Sequence, residues 1–325
     1  MSALAASQTK TMHSREYRIR KAARATLNYV VMTLLALFFM FPILFMLISA
    51  IKTNEDQITG DVAGLQAFVP YPLEYQPYVE ALDEQPVEMR EAYTGLGIQN
   101  FRDVFRRTRF GQFMLNSIFI SGTTVALGLL FNSMAAYALS RLKWRGQGLV
   151  LALIVALIIV PFEAVAVPLM LLTTKLPWID GTIGWHNTYH VQIIPFIADA
   201  FSIFLFYQFF IGLPRDLDEA ALVDGASRFR IYWSVIVPIS KPVFATVAIL
   251  KFLQYWGSYL WPLMVVQLPD ARPLTVAMNE FFGQYPRLWG DTLAFASMIT
   301  IPVLIVFMLF QKWFVQSVAS SGVKG

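Results

Sequence analysis

The chain has 325 residues, of which 57% are hydrophobic and 14% charged. A soluble domain usually carries about 25% charged residues, so this composition excludes an ordinary soluble domain and indicates a membrane protein. The net charge of +4 is modest, and the basic residues cluster beside apolar runs, which favours membrane topology over nucleic-acid binding. Cysteine is absent, which excludes disulfides and thiol chemistry in the chain.

The first 51 residues combine a basic segment, 1–27, with an apolar run, 28–51. The basic segment is similar to the start of a signal peptide, but the apolar run is too long for one and lacks a small-residue cleavage site. About 20 helical residues at roughly 1.5 Å each cross a hydrocarbon core of about 30 Å. We therefore expect residues 28–51 to be a retained transmembrane helix, with residues 1–27 in the cytoplasm.

Residues 52–111 are rich in acidic residues, Pro and Tyr, and we expect them to be external. Five further apolar runs predict transmembrane helices over 112–139, 148–172, 191–213, 243–266 and 292–311. Pro161 and Pro168 predict kinks in the third helix. Basic residues after the second helix, Arg141 among them, and in the tail 312–325 indicate the cytoplasmic side. The sequence thus predicts an all-α polytopic membrane protein with six transmembrane helices and both termini in the cytoplasm.

Two histidines lie in the external segment between the third and fourth predicted helices. His186 and His190 are four residues apart and would share a helix face. Without a third ligand or a nearby acid, we expect interfacial polar residues rather than a metal site.

The polar segment 214–242 separates the fourth and fifth predicted helices, and it is not built like a flexible loop. Acidic residues at its start suit a helix N-terminus, strong helix formers follow, and Gly225 permits a sharp turn before a second helical start. A helix this short is marginal alone in water, so we expect another protein to pack on it. Its small side chains allow close approach, which predicts a docking surface.

The residues of this segment resemble the EAA loop of importer-type ABC transporter permeases. The matching positions are Glu219, Ala220, Ala221, Asp224, Gly225, Ala226, Pro238 and Pro242. The resemblance, strongest to the maltose-type carbohydrate permeases, covers residues 98–325 well and includes Asn116-Ser117 and the C-terminal tail. It implies the type I importer permease fold within 112–311, and it makes Glu219, Ala220, Ala221, Asp224, Gly225 and Ala226 the coupling helix that docks on an ATPase.

The same resemblance implies the partners of the chain. They are a second homologous permease, an ATPase dimer that carries ATP and Mg, and an external binding protein that delivers a carbohydrate. Glu219 is then expected to make a polar or ionic contact to the ATPase. Residues 55–97 are longer than the common form of the family, and we interpret them as an insertion that either contacts a delivery protein or caps the outer face.

The chain lacks the G-x-x-x-x-G-K-[ST] phosphate loop, a nucleophile elbow and an H-E-x-x-H motif. We therefore expect a transport subunit rather than an enzyme, with no cofactor of its own.

Three charged residues lie within predicted transmembrane helices: Glu163, Asp199 and Lys251. A charge near the bilayer centre costs about 2.5–3.5 kcal/mol even on lenient scales, so such residues usually face a cavity or a partner. One hypothesis pairs Lys251 with one of the acids and places the other on the translocation path. The alternative is that both acids lie near the external interface and are simply hydrated.

Aromatic and amide side chains of the fifth helix, namely Gln254, Trp256 and Tyr259, suit a sugar ring. The stretch resembles the W-N-x-x-x-W-P pattern of the permeases, but Gly257 replaces the Asn, so the family's substrate contacts transfer poorly. The alternative is an interfacial aromatic belt, which stays open for Gln254 and Trp256 and is favoured for Trp261.

Two alternative functions remain open at this point. The first is an importer for another small polar solute. The second is a secondary transporter driven by an ion gradient, for which the three intramembrane charges are the candidate coupling groups.

Overall fold

The structure is a computed structural model that describes residues 2–52, 55–60, 67–68, 97–283 and 288–322. Within these residues the regular elements are helical, apart from one isolated antiparallel bridge between Pro177 and Ile183. The all-α expectation is confirmed. Most of the predicted insertion, 61–66 and 69–96, lies outside the described residues. The chain forms two compact units, residues 1–101 with 288–294, and residues 102–287 with 295–325.

The helices in chain order are α1 (Ser2–Ile51), α2 (Glu55–Gly60), α3 (Gln99–Arg107), α4 (Phe110–Arg141), α5 (Gln147–Ile159), α6 (Phe162–Thr173), α7 (Tyr189–Ile193), α8 (Ala200–Ile211), α9 (Asp216–Val223), α10 (Arg228–Ile231), α11 (Val237–Ile239), α12 (Lys241–Trp256), α13 (Leu260–Val265), α14 (Leu274–Phe282) and α15 (Trp289–Gly322). A π-helical turn, Tyr232–Ile236, joins α10 to α11, and 3₁₀ turns occupy Ile194–Phe196 and Pro269–Ala271.

Four stretches of the described chain are long and apolar enough to cross a membrane: Arg20–Ile51, Phe110–Arg141, Tyr189–Ile211 and Trp289–Lys312. Two bent pairs, α5 with α6 (105°) and Arg228–Ile239 with α12 (80°), raise the number to as many as six if each is one span. The six-helix count and the cytoplasmic termini therefore stay predictions.

Several predicted helices differ from the observed ones in length or continuity. The predicted helix 243–266 is interrupted after Trp256, where Gly257 ends α12 before α13 begins at Leu260. α1 begins at Ser2 and α15 runs on to Gly322, because the flanking polar residues contain no helix breaker. The predicted helix 191–213 is broken between α7 and α8. Pro195 has no N–H to continue the helix, and Asp199 starts a new one by accepting a hydrogen bond from the Ser202 amide (2.8 Å).

The bend between α5 and α6 occurs at the predicted proline. Val160 and Pro161 have extended backbone dihedrals between the two helices. Pro168, the second predicted kink, lies inside α6 without interrupting it.

In the first unit, hydrogen bonds from residues 97 and 100 cap the C-terminus of α1. The Asn100 amide donates to the carbonyls of Ala50 (2.9 Å) and Lys52 (2.7 Å), and the Gly97 amide donates to Ile51 (2.9 Å). These bonds satisfy carbonyls that a helix C-terminus leaves without intrahelical partners.

The second unit is built around α4, whose buried face carries a row of small and polar residues at helical spacing among larger apolar ones. The small and polar residues are Ser117, Ser121, Thr124, Gly128, Asn132, Ser133, Ala136 and Ser140. Small side chains let neighbouring helices approach closely in a membrane, where packing rather than water exclusion drives association. Phe206 and Phe210 of α8 and Val247 of α12 pack into one core with the C-terminal half of α4.

Candidate functional site

The predicted coupling segment is an ordered helix–turn–helix. α9 begins at Asp216 with three acidic residues in its first turn, where the helix dipole favours negative charge. It ends in a Schellman motif: the Ala226 amide donates to Ala221 (2.9 Å), and the Gly225 amide donates to Leu222 (3.0 Å). Gly225 has φ +78°, a left-handed conformation that side chains resist. The sharp turn predicted at Gly225 is therefore present.

The second half of the segment is fastened to α4. The Ser227 hydroxyl caps α10 by accepting from the Arg230 amide (3.3 Å). Tyr137 of α4 donates to the Arg228 carbonyl (3.2 Å). Ser133 and Tyr232 share a hydroxyl hydrogen bond of 2.7 Å. These bonds attach the second half of the segment to α4.

Arg141, the last residue of α4, holds the first half of the coupling segment, α9, in place. Its guanidinium donates to Asp218 Oδ2 (2.9 Å) and to the carbonyls of Phe210 (2.5 Å) and Leu213 (2.8 Å). The side chains of Arg141 and Asp218 are 3% and 9% exposed, so removing either would leave the other charge buried without its partner. In the sequence, Arg141 indicates only the cytoplasmic side of α4, because 77 positions separate it from Asp218.

The six residues predicted to dock on the ATPase divide between two faces. Ala221 and Ala226 are half-buried and pack against the core below the segment. Exposed positions are Glu219, Ala220, Asp224 and Gly225. The exposed face thus carries two carboxylates and two small residues, which is the surface available to a partner.

The intramembrane lysine is paired with one of the two acids. Lys251 Nζ lies 2.5 Å from Asp199 Oδ2 and donates to the Phe196 carbonyl (2.8 Å). The Lys251 side chain is fully buried, and that of Asp199 is 21% exposed. Phe196 belongs to the break between α7 and α8, so the ammonium satisfies a carbonyl that the broken helix leaves without an intrahelical partner.

Asn132 of α4 completes this arrangement. Its amide donates to the Ile197 carbonyl (3.0 Å) and to Asp199 Oδ2 (3.3 Å), while its oxygen accepts from the Asp199 amide (3.1 Å). Gly128, one turn before Asn132, makes room for the lysine: a Cβ there would lie 2.1 Å from Lys251 Cε. The cluster therefore joins α4, α8 and α12 at one level of the bundle.

Gly128→Ala tests this close approach. Because the lysine is held by its ion pair and its carbonyl bond, it cannot move aside freely, and overpacking typically costs about 1–3 kcal/mol. We expect a lower melting temperature of the detergent-purified subunit, measured by loss of the monodisperse chromatographic peak. Gly122→Ala is the matched control on the same helix, since no atom lies within 4 Å of its added Cβ. Equal melting temperatures of the two variants would contradict the packing argument.

The other predicted path residues lie apart from this cluster. Glu163 is exposed in the first turn of α6 and has no ion-pair partner among the described residues. Gln254 is also exposed, and Tyr259 is half-buried, with the Asn279 amide donating to its hydroxyl. Trp256 is buried and donates to the Ile299 carbonyl (3.2 Å). Whether any of them contacts solute stays a prediction.

The interfacial-belt interpretation of Trp261 is wrong. The indole is 2% exposed and donates to the Val191 carbonyl (2.9 Å) in the core of the second unit. It packs edge-on against Phe162 and Phe196. In the sequence, Trp261 follows several aromatic residues and precedes Pro262. This pattern is the same for an interfacial belt residue and for a buried, hydrogen-bonded Trp.

The predicted external side of the second unit is held by amide hydrogen bonds. Asn116, at the start of α4, donates to the carbonyls of Asp270 (2.9 Å) and Arg272 (2.8 Å), and the Ser117 hydroxyl accepts from the Leu274 amide (2.7 Å). This pair therefore fixes the loop that precedes α14.

The loop between α6 and α7, which is predicted to be external, has its own contacts. The His190 ring stacks on Trp178 with centroids 3.9 Å apart. Bonds from the backbone amide and the hydroxyl of Thr182 hold the pKa of the exposed Asp180 below its usual value. Within the described residues, no three His, Cys, Asp or Glu side chains are grouped as metal ligands would be.

Comparison with known families matches residues 125–320 to the model of the binding-protein-dependent transport system inner membrane component. The match includes the coupling segment, the Lys251 cluster and the C-terminal helix. The chain belongs to this family. It is therefore an inner-membrane protein with several membrane-spanning helices, and the resemblance to importer-type permeases is confirmed.

Individual relatives of this family member agree with that assignment. The arabinooligosaccharides transport system permease protein AraQ of Bacillus subtilis is 28% identical, over 96% of this chain and 99% of the relative. The trehalose transport system permease protein SugB of Mycobacterium tuberculosis is 34% identical, over 70% of this chain and 81% of the relative. The lactose transport system permease protein LacG of Rhizobium radiobacter is 27% identical over 93% and 98%, respectively.

A solved structure shows the same fold. A chain of a bacterial ABC transporter involved in the import of the acidic polysaccharide alginate superposes with a TM-score of 0.68, at 21% identity, covering 89% of this family member and 96% of that chain. The importer permease fold predicted from the sequence is thus confirmed.

Proposed function

We propose that the chain is the permease subunit of an ATP-driven importer that carries a carbohydrate, a sugar or an oligosaccharide, across the inner membrane. The relatives support the solute class, because proteins 27–34% identical are named for arabinooligosaccharide, trehalose and lactose transport. A second homologous permease completes the translocation path.

Docking of the ATPase on α9 is supported by one observation: both halves of the coupling segment are hydrogen-bonded to α4. Arg141 fixes α9 to the end of α4, and Tyr137 fixes α10 to the same helix. A push on the exposed face is therefore transmitted to α4 and to the helices packed on it. Glu219, exposed on this face, is the proposed polar or ionic contact to the ATPase.

The proposed path residues have two different tasks. Glu163, Gln254 and Tyr259 are at least partly exposed, so they are available to a solute or to the second permease. Asp199, Lys251 and Trp256 are engaged with neighbouring helices, and they shape the path by holding its walls.

The external binding protein is the proposed source of the solute. The name of the family supports this partner, because transport in it depends on a binding protein. The chain itself needs no cofactor, and ATP with Mg belongs to the ATPase dimer. Delivery by another protein also means that solute selectivity is shared between that protein and the path.

The ion-coupled alternative has weaker support. An ion-coupled transporter needs ionisable groups that bind and release an ion, whereas Lys251 and Asp199 already bind each other. Another small polar solute remains the alternative within the importer class.

The test is affinity purification of the tagged chain from its native membrane, followed by an ATPase assay. We expect an ATPase and a second permease to co-purify, with hydrolysis stimulated by a sugar-loaded binding protein. ATP-independent uptake by the chain alone would refute the proposal. If only a binding protein loaded with a non-carbohydrate stimulated ATP hydrolysis, the importer proposal would stand and the carbohydrate assignment would be wrong.

A further inference from the structure

A polar cleft of about 410 Å³ adjoins the proposed docking helix. It lies between the end of α4 and the coupling segment, and its lining residues are Arg141, Leu142, Lys143, Arg215, Asp218, Glu219, Leu222 and Arg228. Its volume falls within the range of about 300–1,000 Å³ that is usual for ligand sites. The cleft can therefore admit whole side chains of a partner.

The charges of the cleft are unbalanced. Arg141 and Asp218 neutralise each other in its wall. Lys143, Arg215 and Arg228 are exposed and have no ion-pair partner within the described part of the chain, and Glu219 is the only exposed carboxylate that lines the cleft. Three cations against one carboxylate favour an anionic group.

Two buried atoms in the wall also lack hydrogen-bond partners, Arg141 Nε and Asp218 Oδ1. Buried polar atoms in native proteins are almost always paired. Both belong to the ion pair that fixes α9. A carboxylate seated in the cleft could accept a hydrogen bond from Arg141 Nε, whereas Asp218 Oδ1 needs a donor such as water or a cation of the same partner.

We propose that this cleft receives an acidic side chain, Asp or Glu, of the ATPase subunit, as a second contact beside α9. The inference rests on the proposed function, since it takes the ATPase as the partner. One carboxylate would be shared by Lys143, Arg215 and Arg228, while Glu219 pairs with a cation of the same partner. The ATPase is then held on both sides of α9.

A protein partner fits the cleft better than a lipid phosphate does. Basic clefts at the cytoplasmic membrane surface can hold anionic headgroups. Here, however, Glu219 would repel a phosphate, whereas a protein surface can supply both an acid and a base. Leu222 in the cleft and the adjacent Val223 are exposed apolar side chains that a protein partner would also cover.

The test compares two triple variants of the full chain, purified with its partners in lipid nanodiscs. Lys143→Gln/Arg215→Gln/Arg228→Gln removes the cleft cations. Arg145→Gln/Arg230→Gln/Lys241→Gln is the matched control, because these exposed cations lie near the cleft in sequence but do not line it. The NaCl concentration that releases half of the ATPase is measured in discs of neutral lipid and in discs containing phosphatidylglycerol.

We expect the cleft variant to release the ATPase at about half the NaCl concentration of the wild type in both lipids, and the control to match the wild type, because rim charges mainly set the salt dependence of association. If the wild type, the cleft variant and the control variant released the ATPase at the same NaCl concentration, the cleft contact would be overturned and the proposed function would be unaffected. A difference confined to phosphatidylglycerol discs would assign the cleft to lipid and also overturn it. A wild-type chain that retains no ATPase at any salt concentration would refute the proposed function instead.

A charge exchange then locates the partner group. Arg215→Glu should weaken ATPase retention, and an Asp→Arg or Glu→Arg change at one surface position of the ATPase should restore it. Failure of every acidic surface position of the ATPase to restore retention would contradict a direct carboxylate contact.

Discussion

Lys251→Met is expected to lower the melting temperature of the purified subunit sharply and to abolish uptake. The lysine is fully buried, and its loss leaves the Asp199 carboxylate and the Phe196 carbonyl without their cationic partner. Breaking a buried ion pair on one side costs about 3–5 kcal/mol. The measurements are thermal stability in detergent and solute uptake by reconstituted vesicles.

The partner change is Asp199→Asn, which keeps a good helix cap but removes the charge opposite the ammonium. Lys251→Met/Asp199→Asn should be more stable than either single variant, because no buried charge is then left alone. Lys241→Met, at the exposed start of the same helix, should behave like the wild type. Additive losses in the double variant would show that the two residues act independently.

Gly225→Pro is expected to abolish uptake while the subunit remains in the membrane in normal amount. Proline fixes φ near about −65°, whereas this turn needs +78°, and it removes the amide that bonds the Leu222 carbonyl. The turn between α9 and α10 would then open, and the exposed face of α9 would lose its orientation. Uptake, membrane content and stimulation of the co-purified ATPase are measured together.

Gly225→Asn is the matched control, because Asn tolerates the left-handed region far better than other residues do. No atom lies within 4 Å of a Cβ at this position, so the expected loss comes from the backbone and not from a clash. We expect Gly225→Asn to keep most of the uptake. Normal uptake with Gly225→Pro would contradict the docking role of the segment.

The helix–turn–helix of the coupling segment could be predicted from local sequence features. Its acidic first turn, its glycine and its second helical start lie within a few residues of one another, and each acts on the backbone next to it. The structure accordingly forms α9, the left-handed turn at Gly225 and α10 where the sequence predicted them. The split of the motif between an exposed and a half-buried face was not predicted, because it depends on the core beneath.

The sequence also identified the charged residues within the membrane helices but not their partners. Glu163 and Asp199 were equivalent candidates for Lys251 when only residue types and depths were known. The break between α7 and α8 places Asp199 at a helix cap facing α12, and this selects it as the partner. The predicted unbroken helix over 191–213 could not show that geometry.

By itself, the sequence determined that this is an all-helical membrane protein with an ordered polar segment at 214–242, because composition, hydrophobic length and capping residues act locally. The importer permease type came from the resemblance of that segment to the EAA loop. The tertiary structure alone decided that Arg141 holds Asp218, that Lys251 holds Asp199, and that Gly128 makes room for the lysine. These contacts join residues 77, 52 and more than 100 positions apart. Such contacts follow from how the helices cross, which residue spacing along one chain does not specify.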